Sequence, residues 1–86
     1  MPEISRFYGI VIRIFYSDHF PLHFHSKWGE YETLLDINTL AVIVGKLPPR
    51  ALGLVIEWAS LHRDDLKSEW EKARKLEPLD RIEPIE

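Results

Sequence analysis

The sequence changes its hydrophobic period once, at Pro48-Pro49, and that switch constrains the fold more than any other feature. Upstream, apolar residues alternate: Tyr8, Ile10, Ile12, Ile14 and Tyr16 fall on one side of an extended chain, with Phe7, Val11, Arg13 and Phe15 on the other. Downstream, residues 50–77 contain no proline. There Ala51, Val55, Trp58, His62, Leu66, Ala73 and Leu76 form one stripe at about 100° per residue. A proline at the junction suits the first turn of a helix. A strand-forming half followed by a helix-forming half implies an α+β fold. The expected architecture is an antiparallel meander of three to four strands, with a long C-terminal helix or helix pair packed on one face.

The 86 residues make a single domain: 1–47 β-rich, 48–76 helical and 77–86 an extended tail, docked only in part through Leu79, Ile82 and Ile85. Residues 7–16 read as the first strand, in which Arg13 needs a partner or an exposed end. Residues 17–21 read as a turn, with Asp18 suited to bonding its own downstream backbone. Residues 22–28 and 30–37 read as a hairpin around Gly29. With Trp28-Gly29 as a two-residue loop, Lys27 opposes Glu30, His25 opposes Glu32 and Phe24 opposes Thr33. Leu22, Phe24 and Trp28 then share the apolar face with Tyr31, Thr33, Leu35 and Ile37. His23, His25 and Lys27 share the other with Glu30, Glu32 and Asp36. A one-residue bulge would break this register. A turn at Asn38-Thr39 leads to a last strand at 40–44. Arg63-Asp64-Asp65 is a candidate break between two helices.

Composition narrows the function. The chain is 45% hydrophobic, enough for a core, and its formal charge is −3, with 11 basic residues outnumbered by 14 acidic ones. Nonspecific phosphate binding relies on clustered Lys and Arg, so a general nucleic-acid binder is disfavoured, although a local groove for one RNA strand stays open. There is no cysteine, hence no disulfide and no thiol nucleophile. The N-terminus lacks the basic-then-apolar pattern of a signal peptide and no apolar run approaches a bilayer span, so the expected location is cytoplasmic.

Candidate chemistry sits in His19, His23 and His25, three of the four histidines, just ahead of the hairpin. Histidine titrates near neutrality and ligates metals, so clustering marks a site. His23 and His25, two apart on a strand, have Cα atoms about 6–7 Å apart on one face. That span suits an acid–base pair flanking a phosphodiester, with Arg13 or Lys27 stabilising the charged intermediate and Glu32 or Glu30 orienting a ring. It equally suits a divalent metal held by His19, His23 and His25. The ordinary alternative is a solvated pair, accessible at the surface. His62 lies at the centre of the helix stripe between Trp58 and Leu66. All three are read as structural, with His62 buried and bonded to sheet backbone or to Glu69. Trp58 and Trp70 read as core, and Trp28 as the exposed tip of a hairpin.

Several segments together resemble a known bacterial family: Pro2-Glu3-Ile4-Ser5-Arg6-Phe7-Tyr8-Gly9-Ile10, Asp18-His19, Pro21-Leu22-His23-Phe24-His25, Gly29-Glu30-Tyr31 and Glu57-Trp58-Ala59-Ser60-Leu61-His62. The chain is similar, over nearly its whole length, to the short proteins grouped as domain of unknown function 4160. Many relatives carry Pro-Pro before His-Phe-His where this chain has Pro21-Leu22. The resemblance implies a small cytoplasmic protein with no established activity. Its relatives are often encoded beside another short protein, a layout similar to that of toxin–antitoxin pairs.

Three functions follow as expectations. The first is a protein-interaction module, forming a homodimer or a complex with a small partner, since residues 49–61 are apolar nearly all round. The second is a histidine-based, ribonuclease-like enzyme. The third is a divalent-metal-binding protein.

Overall fold

The computed structural model describes residues 3–16 and 19–85. Strands β1 (Glu3–Phe7), β2 (Ile10–Arg13), β3 (His23–Trp28), β4 (Tyr31–Asp36) and β5 (Val42–Gly45) precede helices α1 (Pro49–Leu61) and α2 (Arg63–Arg74). The strands pair antiparallel in chain order. The α+β fold is as expected, with five strands instead of three to four, and of the two helical forms expected the chain takes the helix pair. Ser17 and Asp18, the start of the expected turn, lie outside the described residues.

The additional strand comes from a turn hidden within an alternating pattern. Residues 7–16 are not one strand: the chain reverses at Tyr8-Gly9, where φ is 51° and 79°. Two successive positive φ values twist a two-residue loop in the sense that hairpin strands require. Tyrosine rarely adopts such a φ, so alternation alone places its side chain in a strand. Phe7 now pairs with Ile10 and joins Ile10, Ile12 and Ile14 in the core, while Tyr8 stands exposed at the turn.

In the second hairpin the loop is Gly29-Glu30, so Trp28 pairs with Tyr31, Lys27 with Glu32, His25 with Leu34 and Phe24 with Leu35. The expected pairing was off by two residues. Because side chains alternate with period two, a slip of two keeps every residue on its expected face. The next turn is held by the Asp36 carboxylate, which accepts the Asn38 and Thr39 N–H groups at 2.7 and 2.9 Å. It delays the last strand to Val42. Gly45, at φ 81°, leaves no room for a Cβ against the Glu32 carbonyl.

Pro49 occupies the first turn of α1, which buries Ala51, Val55, Trp58 and Ala59. The chain breaks at His62, just ahead of the acidic segment. Asp64 and Asp65 then fall in the first turn of α2, where carboxylates suit the helix dipole. Trp58 is fully buried, with ring centroids 5.4 Å from Phe7 and 6.1 Å from Phe24.

The tail is tied down more firmly than expected. Trp58 donates its indole N–H to the Glu83 carbonyl at 2.8 Å. The Ile82 N–H donates to the Ile4 carbonyl at 2.7 Å, and Ser5 donates to the Ile82 carbonyl at 3.0 Å. The buried Glu69 carboxylate accepts from the Asp80 N–H at 2.8 Å. Ile82 is buried, and Leu79 and Ile85 pack against the core. The tail therefore lies along β1 and closes that side of the sheet. Among the described residues no helix is long and apolar enough to cross a membrane.

Two measurements check this packing. Gly45→Ala should destabilise by about 2 kcal/mol or more, because a Cβ is strained at this φ and meets backbone; a melting temperature equal to wild type would contradict the close approach. Glu3 ties β1 to the tail through Arg81 at 3.1 Å. Its pKa falls from 4.5 to about 2, mainly through the Arg6 hydrogen bond, aided by Arg81 and opposed by partial burial. The folded pKa lies below the unfolded one, so this stabilisation is complete above pH 4.5 and is lost as pH falls toward 2. Urea unfolding of Glu3→Gln should therefore show a shallower loss of stability across that window than wild type. Parallel curves would contradict the role given to Glu3.

Candidate functional site

The side chains with the most chemical potential gather on the sheet face turned away from the core. Alternation along β3 sends Phe24 and Ser26 inward and His23, His25 and Lys27 to the opposite face. Register adds Arg13 beside His25 from β2, and Leu34 on its other side from β4. Glu32 lies opposite Lys27, and its Oε2 is 3.9 Å from His25 Nδ1. The expected grouping of His23, His25, Arg13, Lys27 and Glu32 is thus on one face.

The two histidines differ in access. His23, expected at the surface, is only 6% exposed. Its ring packs 5.1 Å from Trp70 of α2, and Trp70 in turn meets Phe20. Its Nδ1 donates to the Pro21 carbonyl at 2.7 Å, since a carbonyl can only accept. That bond places the proton on Nδ1 and makes Nε2 the basic nitrogen of the neutral ring. His25 is the more open of the pair, although its side chain is still only 16% exposed. Its ring stands edge-on to Phe15 at 4.3 Å and lies 5.3 Å from His23. Any acid–base chemistry would present His25 to a substrate, with His23 held behind it.

The other histidines lie elsewhere. His19 is exposed in the segment before β3. Among the described residues no three His, Asp or Glu side chains are placed to hold a metal ion, so His19, His23 and His25 are not gathered into such a set. His62, expected in the core, sits half-buried at the break between helices. It bonds Asp65 at 3.2 Å and lies 5.5 Å from Trp58; Glu69 is engaged by Lys72 and Asp80 instead. The break in α1 turns it out of the stripe. Trp58 and Leu66 are fully buried.

A second concavity was not foreseen. A groove of about 420 Å³ runs between Tyr8, Ile10 and Trp28 of the hairpins and Pro48, Arg50, Ala51 and Leu54 at the start of α1. It lies at the Trp28 end of β3, opposite the His23 end, so this groove and the titratable cluster are separate. It follows from the Tyr8-Gly9 turn, which brings Trp28 to within 3.4 Å of where a Gly9 Cβ would stand.

These positions rank the histidines by stability. His23→Ala should cost about 1–3 kcal/mol through a lost buried hydrogen bond and a cavity beside Trp70. His62→Ala should cost less than about 1 kcal/mol, because its partner Asp65 is largely exposed. Chemical denaturation of both variants measures this, and the reverse order would contradict the placement of both rings.

No curated protein and no solved structure matches the chain. A protein family does, over residues 9–71, from the β1–β2 turn into α2. The match includes the His-Phe-His strand and the Trp58–His62 segment, and stops short of β1 and the tail, which the near-complete resemblance had included. Covering well over half of the 86 residues, it shows that the chain belongs to the family described as Domain of unknown function (DUF4160).

Proposed function

We propose that the chain is a protein-interaction module that docks a second copy of itself along β5. The observation that carries this reading is the contrast between the two edges of the sheet. The β1 edge is closed by the chain's own tail, through the Ile82–Ile4 and Ser5–Ile82 hydrogen bonds. The β5 edge has a neighbour on one side only. Its Val42, Ile43 and Val44 are 42, 41 and 58% exposed, and the strand contains no charge. Natural sheets blunt free edges with charges, proline, bulges or covering segments, because unpaired N–H and C=O groups template another strand. Here pairing with β4 skips Ile43, a bulge of the protective kind, but no charge accompanies it and the apolar side chains remain exposed.

A second copy fits this edge chemically. Antiparallel pairing of β5 with itself sets Val and Ile against Val and Ile across a two-fold axis, an isologous contact. With Ile43 opposite Ile43 and Val42 opposite Val44, Lys46 falls beside Leu40 of the other copy, which keeps the two ammonium groups apart. Strand addition would supply main-chain hydrogen bonds, and the β-branched side chains would supply apolar contact.

Analytical ultracentrifugation should find a dimer, and Ile43→Lys with Val44→Lys should convert it to a folded monomer. A wild-type monomer at high concentration, or a dimer that survives both substitutions, would refute the proposal. A monomer that pairs through β5 only with a different small protein would transfer the edge to a heterologous partner.

A further inference from the structure

The open face of the sheet holds a cation that has no counter-charge among the described residues. Arg13 ends β2, with Glu3 across from it on one side and His25 on the other. Glu3 is already committed, to Arg6 at 2.8 Å and to Arg81 at 3.1 Å. Among the described residues no carboxylate lies within ion-pair distance of Arg13 or of Lys27. The Arg13 Nε is shut off from solvent and has no hydrogen-bond partner. A desolvated donor on a charged group costs free energy unless an acceptor meets it.

We propose that Arg13, with His25 and Lys27, forms a binding site for a phosphate group on the open face of the sheet. This site is separate from the β5 edge and does not depend on the docking reading. The guanidinium fork matches two oxygens of a phosphate, and turning the side chain toward such a ligand gives the enclosed Nε the acceptor it lacks. Directly paired strand residues stand about 4.5–5.5 Å apart at Cα and diagonal neighbours about 7–8 Å. That spacing places His25 beside the fork and lets Lys27 reach the same anion from the next position on β3. Glu32 lies on the far side of His25, toward β4, so an anion settles on the Arg13 side of that ring. Phe15, edge-on to His25, supplies a flat apolar surface beside the phosphate position. The phosphate could arrive as the inorganic ion or on a nucleotide, and Phe15 lets the two be told apart.

The test is an NMR titration of the isotope-labelled full chain with inorganic phosphate and, separately, with adenosine 5′-monophosphate. Saturable shifts of the Arg13 Nε–H and of the His25 ring are expected. Arg13→Gln should weaken phosphate binding by about tenfold or more, the loss of a charge-assisted hydrogen bond. Exposed Lys67→Gln should leave it unchanged. Tighter binding of the nucleotide that is lost in Phe15→Ala would identify a nucleotide as the source, and equal binding would identify the phosphate alone. If Arg13→Gln does not fold, Lys27→Gln carries the same comparison. The proposal is overturned if neither probe shifts Arg13, or if the shifts persist at equal affinity in the folded variant.

Discussion

Trp58 is the residue through which the separate parts of this small fold are joined. Its ring is fully buried between Phe7 of β1 and Phe24 of β3, and its indole N–H binds the tail at Glu83. One side chain thus connects two strands, the first helix and the last turn of chain. In a domain of 86 residues the buried fraction is small, so a single large aromatic contributes a substantial part of the core. The indole also cannot be replaced by an aliphatic residue without losing the bond that fixes the tail.

The open surfaces follow from that arrangement. With the helices drawn over one face, and Trp70 of α2 reaching His23, the opposite face keeps Lys27 exposed with Arg13 and His25 partly covered beside it. With the tail drawn along β1, β5 is left as the edge where another strand could pair. The groove at Tyr8, Trp28 and Arg50 is a third feature, set where the first hairpin meets the start of α1. These surfaces involve different residues, so the proposed docking and the proposed anion binding would place separate demands on the chain.

Much of this was legible in the residues, and the misses have definite causes. The period switch at Pro48-Pro49 marked the boundary between sheet and helices, and the alternation of His23, Phe24 and His25 marked which face each would take. The Tyr8-Gly9 turn was hidden because the apolar alternation continues through it, and a tyrosine at positive φ leaves no trace in that pattern. The second hairpin slipped by two residues because Gly29 fits either loop position, a displacement that alternation cannot detect. His62 falls on the helix stripe only if α1 and α2 are continuous, and the break lies at His62 itself. The burial of His23 depends on Trp70, far away in sequence, and no local pattern could reveal it. The need of Arg13 for a partner was visible; that Glu3 was already taken was not.

The central structural claim is that Trp58 holds the tail against β1 and so closes that edge of the sheet. Amide hydrogen exchange of Ile82, compared between wild type and Trp58→Phe, tests it most directly. Phenylalanine keeps the aromatic packing but removes the donor to Glu83. The account predicts much faster exchange at Ile82 in the variant, with the β3–β4 amides still protected. Unchanged protection at Ile82, or an equal loss throughout the sheet, would contradict it.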